Sequence, residues 1–308
     1  MNKLDLSIVI VSYNTKKDLQ NCLDSLTLLK IKKSYELIIV DNGSTDESTT
    51  YIKNIAKANK KIIPILNSDN SGFAAANNQG IKKSRGKYIL LLNSDTLIEE
   101  DIFTPIIDWM DEHPKVGISG CALLNKDRSV QGSGGFFPNL PRAISWLLFL
   151  DDIPFISKYI KPFHPLHTKS FFKNEAFYSQ PHEQDWVTGA FFLIKREVVD
   201  KIGYIDEEYF MYTEEVDYCY RAKQKGWKIW YLPQWSIVHF GQGSGSPTFA
   251  IISEWRNIQL FYKKHYSLLS LFILKIFLLV GAILRIIIFG IIEGPRTAKI
   301  YINALKTL

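Results

Sequence analysis

The first hundred residues alternate between short apolar runs and segments with helical spacing. Residues 6–13, 35–40 and 87–92 are continuous aliphatic runs without polar alternation, which is typical of central strands buried on both faces. Between them, residues 47–58 and 73–84 have the spacing of amphipathic helices. Strands and helices in this order predict an α/β fold with a mostly parallel central sheet flanked by helices.

The second half of the chain is less regular. Residues 116–124, 188–195 and 228–232 are predicted strands, and residues 214–225 are a predicted helix. Residues 131–182 are rich in Pro, Phe, Gly and His and lack a clear period. Long irregular stretches are usually functional, so we expect loops and short helices that cover a cleft.

The pattern changes again after Phe249. Residues 249–266 predict an amphipathic helix, and 20 of the 26 residues in 267–292 are apolar. That run is long enough to span a bilayer, which takes roughly 20 residues. Lys275 and Arg285 interrupt it and argue against a simple span, although they could snorkel from helices lying in the interface. A buried extension of the globular domain, or an oligomer contact, is the alternative.

The positive charge lies in the same segment. The chain has 37 Lys and Arg against 31 Asp and Glu, a net charge of +6. Residues 249–308 contain eight basic and two acidic side chains, which leaves residues 1–248 neutral. A neutral body disfavours nucleic-acid binding. We therefore predict a globular domain over 1–248 and a helical, basic and apolar segment over 249–308 that associates with a membrane surface.

The cysteines and the N-terminus indicate a cytosolic setting. The three cysteines are too few and too scattered for a disulfide framework or a zinc cluster. The first residues are polar and lead directly into a predicted strand, so we expect no signal peptide.

Polar residues follow directly after three of the predicted strands. In an open parallel sheet, ligands bind beyond the carboxyl ends of the strands. The three turns are Ser12-Tyr13-Asn14, Asp41-Asn42-Gly43 and Asn93-Ser94-Asp95. Since they should converge on one edge, together they predict a ligand site.

Two carboxylates in these turns have specific candidate roles. Asp41 could accept a hydrogen bond from the imide N–H of uracil or thymine, with Tyr13 stacked on the base. Asp95 is placed to hold a divalent cation, for which oxygen ligands and bridging phosphates suit magnesium or manganese. An Asx turn or a helix cap is the alternative for both.

Three further features carry candidate chemistry. Residues 70–80 open a helix with small residues, which allow close backbone approach to an anionic ligand. Glu214, Glu215 and Asp217 lie at a helix start, where the helix dipole alone could explain them, but a carboxylate there could also act as a general base. His239 precedes a glycine-rich segment that could let it reach into a site or close over one, although a lone histidine is usually structural.

These segments, in this order, resemble the family-2 glycosyltransferases, and most closely the rhamnosyltransferase-type enzymes of bacterial cell-surface polysaccharide assembly. The resemblance covers about residues 5–245. Its motifs are SIVIVSYN, VDNGSTD, NSGFAAANNQGI, LLLNSDT, DWVTGAFFLIKREV, YFMYTEEVDYCYRAKQKGW and VHFGQGS. It implies a nucleotide-sugar-binding fold of the GT-A type and inverting transfer.

The resemblance also implies roles for individual residues. Asp41 should bind the base, with Tyr13 beside it. Asn93-Ser94-Asp95 occupies the family's Asp-x-Asp position with Asn in place of the first Asp, so Asp95 and His239 should hold Mn²⁺ or Mg²⁺. The full set of implied nucleotide contacts is Ser12, Tyr13, Asn14, Asp41, Asn70, Gly72, Asn77, Asn93, Ser94 and Asp95.

Catalytic and acceptor residues follow from the same resemblance. Glu215 falls where the family has the Asp of a Glu-Asp pair, the catalytic base; here the pair is Glu214-Glu215, and Glu is one methylene longer. Asp185, Trp186, Gly189 and Glu214 should line the acceptor and sugar site, with Trp186 packed on a sugar face.

The expected activity is transfer of a sugar from a nucleotide-sugar donor to a hydroxyl of a lipid-linked glycan acceptor, in cell-wall, O-antigen or capsule assembly. On resemblance alone, the first choice of donor is dTDP-L-rhamnose. The protein should lie at the cytoplasmic face of the membrane, peripheral or monotopic, and a homo-oligomer stays open. One alternative is a sugar nucleotidyltransferase, which would have a Gly-rich, Arg-containing loop where this chain has Ser12-Tyr13-Asn14. The other is a degenerate membrane-attached scaffold.

Overall fold

The chain folds as two compact units, which are described separately. The computed structural model describes residues 4–166, 175–241 and 246–308. The sheet unit comprises the described residues of 1–134, 176–210 and 214–243, and the helical unit comprises those of 135–175, 211–213 and 244–308. The predicted division at residue 248 stays a prediction.

The strands and helices are numbered in chain order. The strands are β1 (Leu6–Ser12), β2 (Tyr35–Asp41), β3 (Ile62–Leu66), β4 (Tyr88–Asn93), β5 (Thr96–Leu97), β6 (Val116–Leu124), β7 (Val130–Gln131), β8 (Gly134–Gly135), β9 (His182–Gln184), β10 (Trp186–Val187), β11 (Phe191–Lys195) and β12 (Lys228–His239). The helices are α1 (Lys16–Leu28), α2 (Ser48–Ala58), α3 (Phe73–Lys83), α4 (Phe103–Glu112), α5 (Leu140–Leu147), α6 (Pro154–Ser157), α7 (Arg196–Ile202), α8 (Glu214–Gln224), α9 (Pro247–His265), α10 (Leu268–Ile292) and α11 (Pro295–Leu305), and a short 3₁₀ helix covers Glu175–Tyr178.

The sheet unit is built on one mixed sheet. Its main strand order is β3-β2-β1-β4-β11-β6-β12-β5, with β7 beside β6 and β9 beside β12. Strands β1 to β4 are parallel, whereas β11 runs antiparallel to both β4 and β6. This arrangement confirms the predicted α/β class with a mostly parallel central sheet flanked by helices.

The apolar runs form strands because both faces of the sheet are covered. Leu6, Ile8 and Ile10 on one face of β1 join α1 in a single core. On the other face, Val9 packs so closely on Gly80 of α3 that a side chain at that glycine would collide with it. Burial of each such aliphatic side chain contributes about 1.5–3 kcal/mol, so these runs drive the formation of the sheet.

Strand β12 is longer than the sequence pattern predicted. The predicted strand covers residues 228–232 and ends before Pro233. Instead, the pairing with β6 shifts register between Leu232 and Ser236, and the strand continues past Pro233 to His239. Such an irregularity lets a strand absorb a residue that cannot donate to the ladder. The continuation brings His239 opposite Thr96 of β5.

Helices α5, α9, α10 and α11 form the core of the helical unit. The predicted helix over 249–266 and the apolar run over 267–292 are confirmed as α9 and α10, and the basic end forms α11. Gly281 of α10 lies against Leu147 at the end of α5. The Arg285 guanidinium donates to the carbonyls of Trp146 and Leu147 at 3.0 and 2.6 Å, which satisfies groups that the end of α5 leaves open.

Candidate active site at the carboxyl edge of the sheet

The polar turns after β1, β2 and β4 lie side by side at one edge of the sheet. Ser12 is opposite Asp41, and Val11 is opposite Asn93. Two hydroxyl contacts join the turns after β1 and β4: Ser12 Oγ to Thr15 Oγ1 at 3.0 Å, and Thr15 Oγ1 to Ser94 Oγ at 3.2 Å. The parallel register therefore produces the convergence that the sequence predicted.

The Asp41 carboxylate is fully buried and held by its own turn. It accepts hydrogen bonds from the Ser44 backbone N–H at 3.2 Å and from the Thr49 hydroxyl. These are the local contacts that the Asx-turn alternative predicted. Both donors are neutral, so the carboxylate keeps its acceptor character at the edge.

Asn14 links the turns after β1 and β2. It has a positive φ of 54°, which Asn tolerates better than most residues. Its side-chain oxygen accepts from the N–H groups of Thr45 and Asp46 at 2.7 and 3.3 Å. Tyr13, beside it, is 43% exposed, so its ring is available to an incoming ligand.

Asn42 organises the loop before α3, a role that the sequence reasoning missed. Its side-chain oxygen accepts from Asn67 Nδ2 at 3.1 Å and from the backbone and hydroxyl of Ser71 at 3.2 and 3.0 Å. Its amide nitrogen donates to Asn70 Oδ1 at 2.9 Å and to the Gly72 carbonyl at 3.2 Å. Its place next to Asp41 at the strand end was the only sequence signal for this role.

The N-terminus of α3 is closely covered by Phe210. Gly72 has a φ of 90°, and a Cβ there would lie 2.7 Å from the Phe210 carbonyl oxygen. The Phe73 N–H donates to that oxygen at 2.7 Å, so this end of the helix already has one acceptor. Asn77 is buried and donates to the Phe73 carbonyl within its own helix at 2.9 Å.

Asp95, Asn93 and His239 meet at the same edge. Asp95 is 2% exposed, and its Oδ1 lies 3.4 Å from His239 Nε2. Asn93 Nδ2 lies 3.3 Å from the same ring nitrogen. The described residues contain no group of three or more His, Cys, Asp or Glu that could hold a metal. One carboxylate and one imidazole still fit a magnesium or manganese ion whose other ligands are substrate phosphate oxygens and water.

Gln131 orients the His239 ring and was also missed from the sequence. Its amide nitrogen donates to Asn125 Oδ1 at 2.7 Å and to the His239 carbonyl at 2.6 Å. Its oxygen therefore faces His239 Nδ1, at 2.9 Å, and accepts the proton there. The neutral ring then presents an Nε2 lone pair toward Asp95, which is the form that binds a metal.

The acidic cluster at the start of α8 consists of two adjacent glutamates and a third acid, Asp217, which forms an ion pair. Glu214 is 4% exposed, and its Oε2 has no hydrogen-bond partner among the described residues. Burial, and then repulsion from Glu215, raise the Glu214 pKa well above its ordinary value. Asp217, the rival base candidate, instead accepts from Arg221 Nε at 2.7 Å.

The predicted acceptor residues lie near β10 and α8. Asp185 Oδ1 accepts from Lys223 Nζ at 2.7 Å. Trp186 is only 5% exposed, so its ring is buried in this structure. A Cβ at Gly189 would lie 3.3 Å from the Phe73 ring, which shows how closely the segment before β11 approaches α3. Of the predicted closing segment after His239, residues 242–245 lie outside the described residues.

Comparison with known proteins identifies the family to which this mixed α/β fold belongs. The family model of glycosyl transferase family 2 matches residues 7–203. The chain therefore belongs to glycosyl transferase family 2, as its motifs indicated, and is a glycosyltransferase.

Two curated relatives are similar over the same part of the chain. The N-acetylglucosaminyl-diphospho-decaprenol L-rhamnosyltransferase of Mycobacterium tuberculosis is 25% identical over 246 residues, which is 76% of this chain and 75% of that protein. The poly-β-1,6-N-acetyl-D-glucosamine synthase of Staphylococcus aureus is 25% identical over 237 residues, 76% of this chain but only half of the synthase.

A solved structure shares the fold. The mannosyltransferase PcManGT from Pyrobaculum calidifontis, in complex with GDP-Man and Mn²⁺, superposes with a TM-score of 0.58 at 13% identity, over 99% of this chain and 75% of that one. The predicted GT-A type of fold is confirmed.

Proposed function

We propose that the protein is an inverting, metal-dependent glycosyltransferase that moves L-rhamnose from dTDP-L-rhamnose to a lipid-linked glycan. The observation that carries the metal-dependent part is the contact of Asp95 with a histidine whose Nε2 lone pair is fixed by Gln131. The choice of L-rhamnose and of a lipid-linked acceptor is supported by the name of the mycobacterial relative, which is an N-acetylglucosaminyl-diphospho-decaprenol L-rhamnosyltransferase.

Asp41 and Tyr13 would bind the base of the donor, and Asp95 and His239 would hold the cation beside the diphosphate. When bound, the cation neutralises the charge that develops on the departing nucleoside diphosphate. The Glu215 carboxylate would accept the proton of the acceptor hydroxyl as its oxygen attacks the anomeric carbon opposite the diphosphate. A single displacement of this kind inverts the anomeric centre.

The protonation of the acidic pair supports this division of roles. Because the pKa of Glu214 is raised, Glu214 holds a proton to higher pH than an ordinary carboxyl. A protonated Glu214 would donate a hydrogen bond to a sugar hydroxyl. Glu215 would then be the member of the pair that accepts a proton.

A screen of nucleotide sugars with Mn²⁺ tests the proposed reaction. We expect release of nucleoside diphosphate from dTDP-L-rhamnose when a polyprenyl-diphosphate-linked sugar is supplied, and inversion of the anomeric centre in the product by NMR. A sugar nucleotidyltransferase would instead exchange pyrophosphate, and a scaffold would do neither. Either of those results, or retention of the anomeric configuration, would overturn the proposal.

We also propose that the helical unit attaches the enzyme to the cytoplasmic face of a membrane through one face of α10. By length and composition, α10 could cross a bilayer. However, Arg285 is buried in the helical unit, and Lys275 donates to the Leu308 carbonyl at 2.6 Å. Both charges that argued against a span are therefore engaged within the protein.

The exposed positions of α10 form one uncharged stripe along the helix. They are Leu268, Leu269, Phe272, Ile276, Leu279, Val280, Ile283, Ile287, Ile291 and Ile292, which are 39–81% exposed. At 1.5 Å per residue the helix is about 37 Å long. A helix with one side packed on protein and the other uncharged fits an orientation in the membrane plane better than a span. The exposed Lys299 of the neighbouring α11 and Lys306, directly after that helix, would favour an anionic leaflet.

Binding to vesicles of phosphatidylcholine and phosphatidylglycerol tests this attachment. Ile276→Glu with Ile283→Glu should abolish co-sedimentation, whereas Leu28→Glu, at an exposed apolar position of α1 in the sheet unit, should leave it unchanged. Sedimentation that survives the double change would contradict the proposal. The proposal would also be contradicted if the stripe packs on a second copy of the chain. The protein would then form a dimer that does not bind vesicles, and the double change would dissociate that dimer.

A further inference from the structure

The turn that leads into α8 has an unusual backbone. Tyr212 and Thr213 have φ values of 70° and 72°, in the left-handed region. Residues other than glycine rarely adopt this region, and a β-branched residue such as Thr is a pronounced outlier there. Two such residues in succession persist only where surrounding contacts enforce them. The next residue in the chain is Glu214.

Asn257 of α9 supplies the contacts that hold this turn. Its side-chain nitrogen donates to the Met211 carbonyl at 2.8 Å and to the Tyr212 carbonyl at 2.7 Å. The two carbonyls must converge on one amide for this to occur, and the left-handed backbone at residue 212 accompanies that convergence. Within the Asn257 amide only the NH₂ end can donate, and its two hydrogens serve both carbonyls, which fixes the orientation of the amide.

Asn257 is itself held firmly. Asn257 is only 5% exposed, and its neighbours Trp255 and Ile258 on α9 are buried. Helix α9 is fastened to the end of the chain by Gln259, which donates to the Thr307 carbonyl at 3.2 Å. The donor that holds the turn is therefore part of a packed helix in the helical unit.

We propose that Asn257 is a positioning residue for glycosyl transfer. By holding Tyr212 and Thr213 in the left-handed conformation, it fixes the point from which Glu214 and Glu215 begin α8. This inference rests on the proposed role of Glu215 as the base. It gives the helical unit a second role beside the membrane attachment that we propose for α10.

Kinetics of Asn257→Leu test the inference, because Leu keeps the volume of the side chain and removes the donor. Since a misplacement of about 1 Å can cost about 10²-fold in rate, we expect kcat to fall by about 10²-fold and the donor KM to change less than about twofold. The matched control is Gln259→Met, which removes a buried amide from the same helix without touching the turn. A kcat for Asn257→Leu no lower than that of the control would overturn the proposal.

Glycine rescue separates positioning from general stabilisation. If Asn257 acts by enforcing a left-handed backbone, Thr213→Gly should restore kcat at least tenfold in the Asn257→Leu protein, because glycine adopts that conformation without steric cost. Thr213→Gly should not restore the free energy of unfolding that the loss of the Asn257 hydrogen bonds removes. Absence of rescue contradicts the proposal.

If Asn257→Leu does not fold, Asn257→Ser replaces it as the test. Because Ser has a single donor, we expect an intermediate loss of kcat, and a wild-type kcat for Asn257→Ser would contradict the proposal.

A second readout distinguishes failure of this inference from failure of the proposed function. Hydrogen exchange of the peptide covering residues 211–216 should accelerate in Asn257→Leu but not in Gln259→Met, whatever Glu215 does. Normal turnover by Glu215→Gln would remove the proposed base while leaving that exchange result intact. Unchanged exchange in Asn257→Leu, with Glu215→Gln inactive, would instead reject the role of Asn257 alone.

Discussion

At the carboxyl edge of the sheet, two buried acids face neutral donors and a histidine, whereas at the amino edge, where the strands begin, two acids face arginine and lysine. Asp41 accepts from the Ser44 N–H and the Thr49 hydroxyl, and Asp95 lies 3.4 Å from His239. Their carboxylate oxygens are the acceptors that we propose for a base N–H and for a cation.

The amino edge shows how the same fold holds an acid that has only a structural role. Glu36, at the second position of β2, accepts from the Arg85 guanidinium at 2.6 and 2.9 Å and from Ser7 Oγ at 2.7 Å. Asp111 accepts from Lys87 Nζ at 2.7 Å. There the charge of each acid is already balanced within the protein. Because Glu36 is as buried as Asp95, we expect the partner of a carboxylate, rather than its burial, to separate acids that bind a ligand from acids with a structural role.

The largest effect should come from the acidic pair of α8. Glu215→Gln should lower kcat by about 10²–10⁴-fold, the usual contribution of a positioned general base. Glu214→Gln should cost less than about tenfold, because the amide resembles the protonated carboxyl that the raised pKa favours. Steady-state kinetics of both variants check this difference, and equal losses would reject the division of roles.

A smaller effect is expected from Gln131. Loss of a residue that orients a metal-binding histidine typically costs about 10–100-fold in metal affinity. Gln131→Leu should therefore weaken Mn²⁺ binding by that amount, measured by electron paramagnetic resonance of free Mn²⁺ in the presence of nucleoside diphosphate. The ¹⁵N shifts of His239 should show loss of the fixed Nδ1–H tautomer. An unchanged tautomer together with unchanged affinity would show that Gln131 does not act on the ring.

The amino edge should affect stability without affecting catalysis. Arg85→Met removes charged hydrogen bonds to the buried Glu36 but leaves its other donors, so the free energy of unfolding should fall by about 2 kcal/mol in urea. The Arg85 side chain is 68% exposed, so solvent screening keeps the cost below that of a fully buried pair. Arg128→Met is the control, because its ion pair with Glu99 is exposed on both sides and should contribute less to the free energy of unfolding than the pair of Arg85. A drop in kcat of folded Arg85→Met would remove the distinction between the edges.

The smallest effect concerns an acid of the helical unit. Burial, and then repulsion from Asp152, raise the pKa of Asp151 from 3.8 to about 6. The folded protein therefore holds this proton more tightly than the unfolded chain, so the free energy of unfolding should decrease as pH rises from about 4 to about 6. Asp151→Asn should flatten that slope, because the amide has no proton to lose over this pH range. Denaturation at several pH values checks it, and an identical slope in the variant would contradict the raised pKa.

The sequence predicted the features that depend on local pattern. Unbroken apolar runs identified β1, β2 and β4, and their parallel order placed the polar turns together. The 3.6-residue spacing and composition after residue 249 identified α9 and α10. Motif resemblance identified the family and the GT-A type of fold.

What the sequence did not reveal depends on contacts between distant residues. Gln131 bonds to a histidine 108 residues away, and Asn257 bonds to carbonyls 46 and 45 residues before it, so no local period marks either of them. The continuation of β12 past Pro233 required a register shift that only the pairing with β6 shows. The roles of the individual site residues stay predictions until they are measured.

Titration of dTDP and UDP with and without Mn²⁺ tests the central claim most directly. By calorimetry, the wild type should bind a nucleoside diphosphate tightly only with Mn²⁺, Asp95→Asn should lose at least tenfold in that affinity, and Arg85→Met should bind like the wild type. Nucleotide binding that is equally tight without Mn²⁺, or that survives Asp95→Asn unchanged, would contradict a metal-dependent site at the carboxyl edge.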